Sequence, residues 1–394
     1  MRVANSNAVV PMLIFILASL GSLSAQEGNS KPGGFDGTFR ASTLKGMEEA
    51  YIPTLYASSH AANLLQLKNG DILCFWFSGE GEGHFNAIVM SRLPKGSRQW
   101  SAPVQVAHQN HRSFQNPVAF QLPSGDIWLL HTSQVAGQWQ AKAQVQFLVS
   151  SDAGNSWSTA KTLFGKPGSF TRQPPVLLSE KHWLLPIYYT PSRSITDGAE
   201  SNYSAVEVTS DGGRHWKECL IPHSGGLVQQ SIVRISQRRF LGFFRSRYAD
   251  FIYESTSDDG CAWTPPAPTP LPNNNSSIQA TRLKGGSVVL VFNDRSAGAV
   301  RDKPRTAPRT PLSIALSTDS GKTWPRIRDI EIGLPVGNDD ERPKSEEYSY
   351  PSVLQDSEGR IEVAYTYCRQ TIKVVRIDED WIKADGTNGA KEKD

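Results

Sequence analysis

The hydrophobic pattern is made of short runs. Apolar or alternating stretches such as Phe240–Phe244 and Ile361–Tyr365 are cut by polar turns, and no segment carries a helical period of useful length. A polar turn between two β-rich runs recurs six times. The turns are Lys68-Asn69-Gly70-Asp71, Pro123-Ser124-Gly125-Asp126, Ser179-Glu180-Lys181-His182, Ser236–Phe240, Lys284-Gly285-Gly286-Ser287 and Ser357-Glu358-Gly359-Arg360. Each follows a short apolar strand: Ala62–Leu67, Pro117–Leu122, Val176–Leu178, Ser231–Ile235, Ile278–Leu283 and Ser352–Gln355.

A second repeat is interleaved with the first. The pattern Ser/Thr-x-Asp-x-Gly-x-x-Trp appears at Ser150–Trp157, Thr209–Trp216, Thr256–Trp263 and Ser317–Trp324, and a degenerate copy ends at Trp100. Successive Trp residues fall 57, 59, 47 and 61 residues apart. Self-similarity at this period predicts an all-β, six-bladed β-propeller with four-stranded antiparallel blades. Within each copy, Asp and Ser can bond nearby backbone amides, Gly can take positive φ, and Trp can cover the blade edge. Asp152, Asp211, Asp258 and Asp319 are thereby structural. The segment around Phe39–Tyr56 is expected to complete the last blade and remove its free edge.

At 394 residues the chain can form one large domain, expected over 39–383, with a polar tail at 384–394. Met1–Ala25 reads as a secretory signal: Arg2, an apolar run over Val9–Leu20, then small residues at Ser24 and Ala25. Residues 26–38 follow as a flexible linker. The mature protein is therefore expected to be secreted or periplasmic, without an integral membrane segment, and a monomer. A net charge of +3 makes no case for a nucleic-acid partner. Cys74, Cys219, Cys261 and Cys368 are too scattered for a disulfide framework or a metal site, and read as buried thiols with room for one bridge. No metal or other cofactor is expected.

Ligand sites of propellers lie where the innermost strands begin. Here those starts are Ser59-His60, Gln115-Asn116, Arg172-Gln173, Gln229-Gln230, Asn275-Ser276-Ser277 and Glu347–Tyr350. All are polar, which predicts a polar basin.

The repeat resembles the Asp box, and the chain over about 50–380 resembles the sialidase superfamily, in particular bacterial sialidase-like proteins of the BNR type. Because Asp boxes also occur in non-enzymes, function rests on site residues. Tyr350, nine residues before Gly359, is similar in placement to the family's nucleophilic tyrosine. Arg309, in Arg-Thr-Pro-Leu-Ser-Ile-Ala-Leu-Ser, and Arg245, ending Phe240–Arg245, are similar to two of its three carboxylate-binding arginines. Three positions depart. His60 stands where the first arginine is expected, Gln230 where a glutamate is expected, and Glu82, in Gly79–His84, where the acid/base aspartate is expected.

The resemblance implies a secreted exo-acting glycoside hydrolase that removes a terminal acidic sugar, sialic or uronic, from a glycan. Arg245 and Arg309 would clamp the carboxylate bidentately, with Arg172 and Arg247 as substitutes for the missing third. Gln230 and Asn116 would add polar contacts. Tyr350 would attack, Glu347 would activate it, and Glu82 or His60 would carry the proton. Two alternatives remain: a uronate-directed polysaccharide lyase with His60 or Tyr350 as base, and a non-catalytic glycan-binding propeller.

Overall fold

Hairpins dominate because the polar turns place glycine where the chain must turn back on itself. Gly70, Gly125, Gly286 and Gly359 all have φ between +90° and +111°. The computed structural model describes residues 34–138, 140–191, 199–333 and 347–384. The expected signal segment and the tail beyond residue 384 lie outside them. Residues 34–38 were assigned to a flexible linker, but Gly37 donates to Tyr51 O at 2.8 Å and accepts from Trp100 N at 2.9 Å.

From Phe35 onward the chain is one compact unit, all-β and propeller-like. Among the described residues its strands form five hydrogen-bonded sheets, where six separate ones were expected. The difference lies in the first two repeats. Ser58–Gln66, Ile72–Gly79, Asn86–Leu93 and Val104–Ala107 share one sheet with Arg112–Gln121, Ile127–Val135, Gln144–Ser150 and Lys161–Phe164. A single parallel pair, Asn86↔Ser113, joins the two halves, and Asn86 Nδ2 donates to Ser113 Oγ at 3.0 Å.

Numbered by sequence repeat, so that the eight-stranded sheet takes the first two places, the third sheet has a split inner edge, Ser169–Phe170 and Val176–Leu177, because Pro174 and Pro175 cannot donate to a ladder. Trp183–Tyr189, Tyr203–Thr209 and Lys217–Leu220 complete it. The fourth holds Leu227–Ser236, Arg239–Ser246, Phe251–Ser257 and Ala267–Pro272. The fifth holds Gln279–Arg282, Val288–Asn293, Leu312–Ser317 and Arg326–Glu331. The last combines Tyr348–Gln355, Ile361–Tyr367 and Thr371–Ile377 with Glu48–Tyr51 and Arg40–Ala41 from the other end of the chain. The N-terminal strand thus closes the final sheet, as the apolar pattern around Phe39–Tyr56 predicts. One short helix, Glu379–Lys383, follows; its five residues are too few to leave a period in the sequence.

Apart from the single pair at Ser113, the free edge of each innermost strand has no neighbouring strand, and its amides need other acceptors. Side chains of the adjacent innermost strand supply them. Leu64 N donates to Ser352 Oγ at 2.9 Å, Ala119 N to Asn63 Oδ1 at 2.9 Å and Ala280 N to Ser231 Oγ at 3.0 Å.

The seams between sheets explain the box residues. In the first box Ser150 Oγ accepts from Gly154 N at 2.8 Å, and Asp152 Oδ1 accepts from Ser156 N at 2.8 Å. Thr209–Asp211 and Ser317–Asp319 repeat this arrangement. The third box is one residue shorter than the sequence pattern suggests: Ser257 and Asp259 make its bonds, while Asp258 is exposed. The tryptophans do more than cover an edge, since they pack onto the preceding repeat, as Trp157 does on Phe75 and Trp324 on Phe243.

The box glycines abut the same neighbour. At Gly260, φ is +78° and an added Cβ would stand 2.4 Å from Leu184 Cδ1 in the third sheet. Gly260→Ala is expected to cost about 3 kcal/mol, combining left-handed strain with overpacking. A shift of the urea midpoint to lower concentration with unchanged slope would show it; an unchanged midpoint would refute it.

The cysteines divide. Cys74 and Cys368 are buried thiols, whereas Cys219, on the outer strand of the third sheet, is bonded to Cys261 in the box of the fourth.

Candidate functional site

Five innermost strands carry a left-handed residue, four within their first half and one, Asn275, shortly before the strand: Ala61 (φ +63°), Asn116 (+50°), Gln229 (+57°), Asn275 (+64°) and Tyr350 (+53°). Four of their ladders slip register at that point. None is glycine, so each costs roughly 1–2 kcal/mol, and Tyr350 adopts this conformation although Pro351 favours extended backbone before it. The bulges turn side chains toward a common cavity. It encloses about 290 Å³, and Asn116, Gln229, Asn275 and Tyr350 all line it.

The cavity is electropositive. Arg245 and Arg247 are each 5% exposed, and no carboxylate stands within 4.0 Å of either among the described residues. Arg245 Nη1 donates to the Tyr350 hydroxyl at 2.6 Å and to Gln229 Oε1 at 3.2 Å, and its Nε donates to Asn275 Oδ1 at 2.9 Å. Arg247 Nε is buried without a partner among the described residues. Burial, and then the charge of Arg245, lower the Arg247 pKa to about 10. For Tyr350, burial raises the phenol pKa, but Arg245, Arg309 and Arg247 outweigh burial and the opposing Glu82; the net shift is downward.

Opposite these cations runs an ion chain. Glu347 accepts from Arg309 Nη1 at 2.9 Å, from Arg369 Nε at 2.5 Å and from Ser349 Oγ at 3.0 Å. Burial raises its pKa, yet the two arginines bring the net shift below the ordinary value. Arg369 Nη2 continues to Glu82 Oε2 at 3.3 Å. His60 lies with its ring centroid 4.2 Å from that of Tyr350. Burial first, then the charges of Arg369, Arg309, Arg172 and Arg245, hold it neutral. Its Nδ1 is 2.8 Å from Thr366 Oγ1, and its Nε2 has no partner among the described residues.

Of the residues expected from sequence, Tyr350, Glu82, His60, Arg245, Arg309, Arg247 and Asn116 come together around this cavity. Three others sit differently. Glu347 lies behind Arg309 as its counter-ion and makes no hydrogen bond to the Tyr350 hydroxyl. Arg172 lies outside the cavity lining and binds backbone: Nη1 donates to Ala62 O at 3.1 Å, and Nη2 donates to Tyr350 O and Pro351 O at 3.0 Å. Gln230 points away, because the left-handed Gln229 brings the preceding side chain into the cavity in its place. The amide of Gln230 fills the space over Gly242, where an added Cβ would be 2.1 Å from Nε2. Both of its polar atoms are buried and unpartnered.

Gln230→Leu is therefore expected to stabilise the fold, by about 1–2 kcal/mol, without weakening ligand binding. A lowered urea midpoint would contradict this placement. Sequence reasoning missed Gln229, the stacked pair Phe170 and Tyr188 that walls the cavity, and Arg369. Arg369 sits in a hairpin turn outside both repeats; the signal available was a turn without glycine.

A family model described as a BNR repeat-like domain matches residues 70–363. No curated protein sequence matches the chain. Among solved structures, the NanB sialidase from Streptococcus pneumoniae is 12% identical with a TM-score of 0.66, covering 84% of this chain and 70% of that one. The Hadza microbial sialidase Hz136 is 14% identical with a TM-score of 0.65, covering 83% and 67%. A protein of unknown function from Dyadobacter fermentans is 18% identical with a TM-score of 0.63, covering 84% and 99%. At such identities the likeness is one of fold.

Proposed function

The chain belongs to the BNR repeat-like domain family, and we propose that its cavity is the active site of an exo-acting glycoside hydrolase releasing a terminal acidic sugar. The observation that carries this reading is the pair Arg245 and Arg247, two buried guanidinium groups that line the cavity with no ion-pair partner among the described residues, Arg245 donating to the hydroxyl of Tyr350. A buried charge without a partner is costly unless a ligand completes it, and guanidinium suits carboxylate. Arg309 already has Glu347, so Arg245 and Arg247 form the clamp. The stacked Phe170 and Tyr188 offer an apolar wall to the ring or an acyl substituent.

In this reading Tyr350 reacts as the phenolate that the arginines favour, its proton having passed to solvent before substrate binds; the oxygen attacks the anomeric carbon as the glycosidic bond breaks, and protonated Glu82 gives its proton to the departing glycan oxygen. Glu82 then takes a proton from the water that displaces the Tyr350 oxygen from the anomeric carbon and frees the sugar. We count the eight-stranded sheet as two blades, six in all. Export is also part of the proposal. The Cys219–Cys261 bond suits an oxidising compartment, and no described helix is long and apolar enough to cross a membrane.

One observation favours a second reading, a uronate lyase. Neutral His60 presents an unpartnered Nε2 beside Tyr350 and can serve as base once the arginines neutralise the uronate carboxylate. Incubation with fluorogenic α-sialosides and with α- and β-glucuronides decides between the two. Release of free acidic sugar supports hydrolysis. A product absorbing in the near ultraviolet from uronate polymers supports elimination. Binding without either product, from folded protein, overturns both.

A further inference from the structure

Between Ile361–Tyr367 and Thr371–Ile377 the chain turns through two consecutive left-handed residues, Cys368 (φ +50°) and Arg369 (+56°), neither of them glycine. Three backbone hydrogen bonds hold this turn. Cys368 N donates to Glu347 O at 2.8 Å, Ser59 N to Arg369 O at 2.8 Å and Gln370 N to Tyr367 O at 2.9 Å. Such angles cost roughly 1–2 kcal/mol per non-glycine residue, so the turn persists because its surroundings enforce it. The result is a rigid arm. Arg369 Nε is fixed on Glu347 Oε1, itself held by Arg309 through Oε2, and Nη2 reaches Glu82.

The segment bearing Glu82 is built in the opposite way. Gly81 (φ +126°) and Gly83 (+87°) flank it, and an added Cβ at either would meet nothing within 4 Å. Backbone ties reach its ends: Asn86 Nδ2 donates to Gly81 O at 2.7 Å and Gly137 N donates to Gly83 O at 2.9 Å. The exposed Glu82 side chain has one ion-pair partner among the described residues, Arg369.

We propose that Arg369 is the positioning residue of this loop, tethering the Glu82 carboxylate at the cavity mouth through Glu347 and Arg309. What Glu82 then does rests on the hydrolytic reading above; the tether does not. Arg369 does not line the cavity, so it acts through Glu82.

Cleavage of the intact protein by a glutamate-specific endopeptidase, followed by mass spectrometry at the Glu82–Gly83 bond, tests the tether without reference to activity. Arg369→Met is expected to be cut there about threefold faster, the scale of an exposed ion pair, and Arg369→Lys to return toward the wild-type rate. Equal rates in all three proteins overturn the proposal. On a turned-over acidic glycoside, Arg369→Met should lower kcat about tenfold through misplacement with KM within about twofold, whereas in a Glu82→Gln background Arg369→Met should cost nothing further. A raised KM with unchanged kcat would mean that Arg369 touches substrate, and would also overturn it. If wild type turns over no substrate, the hydrolytic reading fails while proteolysis still judges the tether.

Discussion

Tyr350→Phe should bind an acidic sugar within about threefold of wild type and lose about 10³-fold or more of kcat, as removal of a nucleophile does. The side chain is 6% exposed and its ring packs beside His60 and Arg172, contacts that phenylalanine keeps. Only the oxygen is lost, and with it the acceptor for Arg245 Nη1 at 2.6 Å. The net positive surroundings favour the phenolate, so wild-type kcat/KM should climb with pH below the range of an ordinary phenol. Calorimetric titration with a free acidic sugar and steady-state assays of both proteins separate binding from chemistry. Turnover retained in the variant would remove Tyr350 from the reaction; equally weakened binding and turnover would make it a binding residue.

Opening the Cys219–Cys261 bond should lower stability by about 4 kcal/mol on the chain-entropy account of a loop with a sequence separation of 42. The bond crosses the seam between the third and fourth sheets. Cys261 also lies inside a box turn, its amide donating to Asp259 Oδ1 at 2.8 Å. The paired Cys219→Ser, Cys261→Ser protein should unfold about 5 °C lower for a chain of this size. An unchanged transition would mean that the box and the packed seam alone hold these sheets together.

The sheet architecture was readable because the repeats leave two independent marks, a polar turn in all six and a box or its degenerate copy in five, and both answer to local backbone demands. The limits were single-residue ones. At Thr256–Trp263 two adjacent aspartates satisfy the written pattern, and only hydrogen bonding selects Asp259 over Asp258. At Gln229-Gln230 the pair is chemically identical, and the left-handed bulge decides which one reaches the ligand. Arg172 was legible as polar and central; that it spends its donors on Ala62, Tyr350 and Pro351 carbonyls is a property of the closed ring. Arg369 comes from neither repeat, and the turn presenting it adopts φ values its residue types seldom show.

The union of Glu48–Tyr51 with Thr371–Ile377 sets a schedule for biogenesis. The strand Glu48–Tyr51 waits for Thr371–Ile377, which is made roughly 15–65 s later at about 5–20 residues per second. Throughout that delay its edge is unpaired, a template for association with other nascent chains. Glu48 and Glu49, side by side on the waiting strand, place charge where a sticky ribbon would otherwise stand. After closure they turn to new work: Glu49 pairs with Lys373 at 3.0 Å, and Glu48 pairs with Arg98 at 2.7 Å and with Arg376 at 3.6 Å. The same two carboxylates thus guard the open ring and then lock it.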